Sequence, residues 1–205
     1  MIEKITPYDE DDVLYRTYYA GIAEDPKVWH LGAGHGFSKR VADCRLSRDG
    51  QRLYALCTNG SFATIDAESG EFIAHSFVGE VDKDASFALS EELGIAAAGN
   101  ESGEVVVLSC DDLSVLNSIP AHEGPVTCAR FDERNELLFT GSRDSKIKIW
   151  KLEGSDVQLM RSVPAKGELR IFEPLKREEL LIGQNNHDFA RIWDVHTGRW
   201  QFKFK

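Results

Sequence analysis

The feature of this 205-residue sequence that most constrains its fold is a repeat with a near-constant period. Four segments, ATIDAESGEF, VVLSCDDLSV, IKIWKLEGSDV and RIWDVHTGRW, align at Ile65, Leu108, Trp150 and Trp193, which are separated by 43, 42 and 43 residues. The first and last segments also share Asp, then Ser or Thr followed by Gly, at the same offsets. Periods of about 20 to 50 residues are typical of repeat proteins. The sequence therefore predicts four copies of one structural unit.

Each unit is predicted to contain four short β-strands. In the third unit the apolar runs VTCARF, LLFTGS, KIKIWKL and VQLMRSV are separated by the polar turns DERNE, RDS and EGSD. Turn signals at this spacing indicate antiparallel strands. Asp49-Gly50 and Asn59-Gly60 tolerate the positive φ angles of tight hairpins. No sustained helical period occurs, so we predict an all-β chain.

A four-stranded antiparallel unit repeated about every 43 residues resembles the blade of a WD-repeat (WD40) β-propeller. The most specific match is AHEGPV followed by FTGSRDSKIKIW. The resemblance places His122, Thr140, Asp144 and Trp150 at the positions of a structural hydrogen-bond network. A buried indole N–H needs an acceptor, and threonine and histidine both accept and donate. The resemblance therefore implies a structural role for His122, not a catalytic or metal-binding one.

The resemblance covers roughly residues 35–205 and predicts four blades, at about 37–79, 80–121, 122–165 and 166–205. Residues 1–36 are predicted to form an N-terminal extension and a partial blade, in which His35 takes the place of His122. Only the third blade has the complete set of network residues. Ile65 and Leu108 replace the tryptophan in the first two blades, which are therefore predicted to depend on apolar packing between neighbours.

Four blades would make a short ring. The resemblance to WD-repeat proteins implies a larger ring, commonly of seven blades. The four units keep an ordinary length and show no reshaping for a tighter circle. We therefore predict that the chain does not close a propeller alone. The ring is expected to be completed by missing blades of a longer chain or by another chain, which includes a second copy.

Composition and motifs exclude several function classes. The net charge of −10 disfavours nucleic acid as a direct ligand. No apolar stretch predicts a membrane span or a secretory signal, so a cytoplasmic or nuclear location is expected. The cysteines lack metal-site spacing and are predicted to be reduced core thiols. GAGHG is not a phosphate loop, since Phe37 stands where the third glycine is needed. No catalytic residues, cofactor or metal site are predicted.

The predicted function is a non-catalytic scaffold that binds other proteins within a larger intracellular complex. Partner contacts are expected on the loops that carry Arg143, Lys146, Lys166, Asn186 and His187. The alternative is a propeller subunit of a ribonucleoprotein or other nucleic-acid assembly. Its candidate basic patch consists of Arg143, Lys146 and Lys148, with Lys166 and Arg170 nearby in the repeat.

Overall fold

The computed structural model describes residues 40–154, 156–165, 167, 169–175, 180–185, 190–194, 197 and 199–204. The partial blade predicted for residues 1–36 lies outside this part of the chain. The described residues form sixteen strands: β1 Val41–Leu46, β2 Arg52–Cys57, β3 Ser61–Asp66, β4 Phe72–Phe77, β5 Ala88–Ser90, β6 Ile95–Gly99, β7 Glu104–Ser109, β8 Val115–Pro120, β9 Val126–Asp132, β10 Leu137–Ser142, β11 Lys146–Glu153, β12 Asp156–Pro164, β13 Leu169–Leu175, β14 Leu180–Asn185, β15 Ala190–Asp194 and β16 Trp200–Phe204.

The strands form four sheets, each a four-stranded antiparallel meander in chain order. The sheets comprise β1–β4, β5–β8, β9–β12 and β13–β16, so the predicted four-stranded blades are confirmed. Glycine closes the second turn of the first two blades. Gly60 and Gly103 both have φ +87°, and a Cβ there would collide with the carbonyl groups of Gly79 and His122. These turns therefore require glycine.

Buried apolar clusters lie between successive blades. Phe62 of the first blade meets Phe87, which precedes β5, edge to face, with ring centroids 4.8 Å apart. Val105 and Val107 of the second blade share a cluster with Trp150 of the third. A third cluster contains Trp193 of the fourth blade together with residues of the third. The blades therefore stack face to face in chain order.

The first strands of successive blades lie close together, with β5 and β13 both near β9. Next to β5, the N–H of Ser86 donates to the Thr127 carbonyl of β9 at 3.0 Å, and Ala129 N–H donates back to the Ser86 carbonyl at 3.2 Å. These bonds bring the first-strand edges of the second and third blades together. The fourth strands, at the opposite edge of each sheet, therefore form the outer wall.

Every fourth strand carries a β-bulge at the same place. The pairing register shifts just before Ile65, Leu108, Trp150 or Trp193 of the third strand, and the fourth strand has one extra residue at that point. Bulges twist and bend an edge strand and thereby make edge-to-edge pairing unfavourable. The four extra residues are Ile73, Leu116, Met160 and Gln201.

All four cysteines lie among the described residues and carry thiols, not disulfides. Cys57, Cys110 and Cys128 are buried, and Cys44 is partly buried. Burial raises the pKa of both Cys57 and Cys110 to about 12, so these thiols stay protonated at neutral pH. They act as apolar core groups.

Candidate interaction face and its hydrogen-bond network

One continuous chain of hydrogen bonds crosses the third blade. The indole Nε1–H of Trp150 in β11 donates to Thr140 Oγ1 in β10 at 2.9 Å. The same oxygen lies 2.8 Å from Nε2 of His122, in the loop between β8 and β9. The other ring nitrogen of His122, Nδ1, lies 3.0 Å from Oδ2 of Asp144 in the β10–β11 turn. The structure thus brings together all four residues that the sequence placed in one network.

The direction of each bond follows from the chemistry of the end groups. The Trp150 indole can only donate, and the Asp144 carboxylate can only accept. Thr140 therefore accepts from the indole and donates its own proton to Nε2 of His122. The histidine ring then donates its Nδ1–H to Asp144, as a neutral imidazole.

The protonation states agree with this arrangement. Burial lowers the pKa of His122 and outweighs the opposing attraction of Asp144. For Asp144, burial raises the pKa, but the attraction of His122 and the hydrogen bonds from His122 and from the backbone N–H groups of Glu123 and Lys146 lower it by more, so the net shift is downward. At neutral pH the pair is a neutral imidazole beside a carboxylate.

The local sequence SRDSK shapes the turn that holds Asp144. Ser142 Oγ accepts from the Asp144 N–H at 3.0 Å, and Asp144 Oδ1 accepts from the Lys146 N–H at 2.9 Å. Asp144 Oδ2 reaches across to His122 and to the Glu123 N–H. One carboxylate therefore fixes its own turn and the loop that enters the blade.

The predicted partner residues have intramolecular contacts where the structure describes them. Arg143 forms an ion pair with Asp82, a buried residue of the loop between β4 and β5. Lys146 Nζ lies 3.3 Å from Glu123 Oε2. The predicted contacts at Lys166, Asn186 and His187 lie outside the described residues. Sequence reasoning missed the Arg143–Asp82 pair, because no motif links the two loops.

Lys148, the remaining described cation of the alternative basic patch, also has partners within the chain. Its ammonium group donates to the Ala121 carbonyl and lies 5.8 Å from the ring centroid of Trp150. The side chain thus bridges the third blade to the loop that precedes it. Its charge is partly satisfied before any ligand arrives.

A comparison with protein families agrees with this geometry. The family model "WD domain, G-beta repeat" matches residues 113–151, the segment that contains His122, Thr140, Asp144 and Trp150. Residues 113–151 thus match a WD repeat.

Two curated relatives contain segments that are similar to parts of this chain. The COMPASS component SWD3 of Saccharomyces cerevisiae is 32% identical over 108 residues, which cover 47% of this chain and 33% of the relative. The Protein LST8 homolog of Dictyostelium discoideum is 34% identical over 68 residues, covering 33% of this chain and 22% of the relative. The chain thus spans about a third or less of these relatives.

A solved structure confirms the propeller architecture. A chain in the crystal structure of the mitotic checkpoint complex matches with a TM-score of 0.68 and 16% identity. The match covers 80% of this chain and 50% of that chain. At this identity the likeness establishes the fold alone, a β-propeller.

In the second blade, an asparagine side chain fixes the loop that enters the blade, between β4 and β5. Gly79, Ala98, Ser102 and Leu108 occupy the positions equivalent to the four network residues of the third blade. Asn100 Nδ2 donates to the Val78 carbonyl at 2.9 Å, while Asn100 Oδ1 accepts from the Ser102 hydroxyl at 2.7 Å. These polar bonds add to the predicted apolar packing of the second blade against its neighbours.

Gly79 makes room for this amide. A Cβ on Gly79 would lie 2.8 Å from Asn100 Nδ2, and the residue has φ +87°. Asn100 thus fills the space that a histidine would take and ties the same two loops together. The available signal was a glycine at the histidine position combined with an asparagine ahead of Ser102-Gly103.

The order Asp144–His122–Thr140 resembles an acid–base–hydroxyl series used for nucleophilic catalysis. The His122 side chain has no exposed surface, and Thr140 is likewise inaccessible. A substrate therefore cannot reach the hydroxyl. Within the described part of the chain, no cluster of three or more His, Cys, Asp or Glu has metal-site geometry, and no helix is long and apolar enough to cross a bilayer.

Replacing Asp144 tests the stabilising role of the network. Asp144→Ala removes the acceptor of the His122 Nδ1–H, and an unsatisfied buried group costs about 1–3 kcal/mol. We expect the free energy of unfolding in urea to fall by that amount. Asp111→Ala, a substitution at an exposed turn, is the control. An unchanged urea midpoint for Asp144→Ala would show that this residue does not stabilise the chain through the network.

The pH dependence of stability tests the state of His122. Its pKa is lowered from 6.5 in the folded chain, so the unfolded chain binds more protons just below pH 6.5. The contribution of His122 is fully present above pH 6.5 and is lost as the pH falls below that value. We expect His122→Asn to flatten the fall in urea midpoint between about pH 7.5 and 5. His75→Asn, at an exposed strand position, is the control substitution.

Proposed function

We propose that this chain is a non-catalytic WD-repeat scaffold that mediates protein–protein interaction within a larger intracellular complex. Its relatives support the proposal, since SWD3 is named as a COMPASS component and the structural neighbour belongs to the mitotic checkpoint complex. The first blades of the chain stack through apolar clusters and thus form a stiff support for their loops.

The observation that carries the proposal is the use of polar groups at the loop face, the side of the blades formed by the β4–β5 and β8–β9 loops and the β6–β7 and β10–β11 turns. His122, Asp144 and Asn100 are each committed to bonds between loops, with no catalytic group left exposed among them. Outward-facing side chains such as Glu123 and Arg143 are presented on loops held in fixed positions. Recognition residues commonly lie on loops that a rigid scaffold positions.

We further propose that the four blades belong to a larger ring. The first blade has a buried apolar cluster on the side opposite the second blade, formed by Leu53, Ala55, Cys57, Ala63 and Ile65. A blade that buries apolar side chains on both faces is suited to an interior position. The structural neighbour is matched over only half of its length, which also supports a ring with more blades.

Light scattering tests ring completion. We expect the isolated 23.0 kDa chain to self-associate, as a chain that supplies part of a ring would. A monodisperse 23.0 kDa monomer in which crosslinks join the first and fourth blades would contradict this proposal.

Crosslinking of the chain in its native cell, followed by purification, tests the scaffold function. Crosslinks to partner proteins should concentrate on loops 79–84, 99–104, 121–125 and 141–146. Arg143→Glu should weaken capture of such a partner, whereas Asp82→Asn removes the internal ion pair and keeps the Arg143 charge. Equal loss in both variants would assign Arg143 a structural role only. Absence of any crosslinked protein would refute the scaffold function.

The nucleic-acid alternative is less well supported by the described cations. Arg143 and Lys146 have acidic partners, and Lys148 is bound to a backbone carbonyl. Three phosphate contacts through free cations would give a steep dependence of binding on salt. Steeply salt-dependent binding to single-stranded RNA would favour this alternative over the scaffold.

A further inference from the structure

The outer wall of the blades exposes apolar side chains in a regular pattern. All six large hydrophobic residues that are exposed in the described part of the chain lie on a fourth strand, namely Ile73, Phe77, Val115, Leu116, Leu159 and Met160. Single exposed hydrophobic residues are common on protein surfaces. Their restriction to equivalent strands of three blades indicates a shared surface property. The second and third blades contribute four of the six.

Three of these residues, Ile73, Leu116 and Met160, are the extra residues of the repeated bulge. Leu116 and Met160 are the extra residues of β8 and β12, and their exposed fractions are 44% and 58%. A bulge leaves its extra residue out of the ladder and changes the direction of a side chain. The same backbone irregularity therefore presents an apolar group on both strands.

The gap between β8 and β12 is lined by apolar side chains from both sides. Ile119 pairs with Val105, and Leu159 pairs with Trp150. Directly paired residues share one face of a sheet, and Val105 and Trp150 both belong to the cluster between the second and third blades.

Ile119 and Leu159 therefore face this gap from opposite strands. Val157 packs against the same cluster, and β8 and β12 approach each other. We call this surface the outer groove, defined by Ile119, Val157 and Leu159, and Met160 is exposed beside Leu159 on β12. Leu159 is 50% exposed, so the groove is open to a partner.

Carboxylates lie at one end of the outer groove. Asp111 and Asp112 precede β8, while Glu153 and Asp156 flank the equivalent turn before β12, and all four are exposed. The segments SCDDLS and EGSD contain no lysine or arginine. Within residues 40–154 and 156–165, none of these carboxylates forms an ion pair. Their charge is therefore available to a ligand.

The nearest basic residue of β12 does not neutralise this end. Arg161 pairs with Ile149, which belongs to the cluster between the third and fourth blades. Its side chain therefore leaves the sheet on the face opposite that of Leu159. Asp112 is also held in its charged form, because the Ser114 hydroxyl and N–H lower its pKa.

We propose that the outer groove binds a basic amphipathic segment of a partner protein. This inference rests on the scaffold function and assigns a surface and a partner chemistry to it. Apolar side chains of the segment pack on Val157, Leu159 and the neighbouring Met160, while its lysines or arginines lie over the four carboxylates. An anionic membrane or nucleic acid is disfavoured because these carboxylates would repel phosphate.

Fluorescence anisotropy with three synthetic peptides tests the proposal on the full chain. The first peptide combines leucine and lysine at amphipathic helical spacing, the second replaces lysine with glutamate, and the third replaces leucine with serine. We expect only the leucine–lysine peptide to bind. Equal affinity of the glutamate peptide would overturn the charge requirement, and equal affinity of the serine peptide would overturn the apolar requirement.

Matched variants locate the binding. Leu159→Ser with Met160→Ser should lower the affinity for the leucine–lysine peptide by about tenfold or more, because two apolar contacts are lost. Ile73→Ser removes the equivalent bulge side chain of the first blade and should change affinity by less than about twofold. Wild-type affinity in the Leu159/Met160 variant would overturn the groove as the site.

Charge variants provide a second measurement in which the apolar groove is unchanged. Asp111→Asn with Glu153→Gln should weaken binding and reduce its salt dependence. Glu68→Gln with Glu71→Gln removes two charges from the equivalent turn of the first blade and should leave both properties unchanged. Identical effects of the two pairs would show general attraction to an acidic protein and overturn the proposed site. Circular dichroism and urea midpoints check that each variant is folded.

The same variants separate this proposal from the scaffold function. A partner that crosslinks equally well to wild type and to the Leu159/Met160 variant would refute the groove and leave the scaffold standing. Peptide binding at the groove without any crosslinked protein would refute the scaffold and leave a basic-peptide site. A partner lost only from the Leu159/Met160 variant would support both.

Discussion

The packing of this protein depends on blades that are apolar on both faces. Antiparallel sheets commonly have one solvated face, which gives an alternating pattern of burial. Here the five residues of β6 are all buried, and β2 and β3 are each buried at five of six positions. Such a sheet is unstable alone and must be covered on both sides. Stacking of equivalent sheets satisfies this requirement, and the repeat in the sequence is its consequence.

Apolar stacking is non-directional, so polar bonds fix how the loops lie on the stack. The third blade uses His122 and Asp144, and the second blade uses Asn100, to join the incoming loop to the second turn. The two solutions occupy equivalent places but differ in titration. An amide has no proton to gain near neutral pH, whereas His122 does. Acidification therefore weakens the loop of the third blade before that of the second.

The sequence allowed prediction of the blades and of the residues that meet in the third-blade network. These predictions were possible because the strand period and the spacing of His122, Asp144 and Trp150 are local patterns with a familiar counterpart. Asn100 was not predictable in this way, because every motif position in its blade holds another residue type. The pair of Arg143 and Asp82 joins distant loops, which spacing along the chain does not reveal.

The bulges show a different limit of prediction from the sequence. Adding one residue to an outer strand leaves its composition unchanged, so Leu116 and Met160 look like ordinary strand residues in the sequence. Only the pairing register identifies them as extra residues. The predicted partner contacts at Lys166, Asn186 and His187, and the blade assigned to residues 1–36, stay predictions, because these positions lie outside the described residues.

The distribution of charge separates the two candidate surfaces. At the loop face, Arg143 and Lys146 are paired with carboxylates, so this face offers shape and hydrogen bonds more than net charge. At the opposite ends of the second and third blades, the carboxylates before β8 and β12 lack such partners among the described residues. Binding at the loop face should therefore depend weakly on salt, and binding at the outer groove strongly.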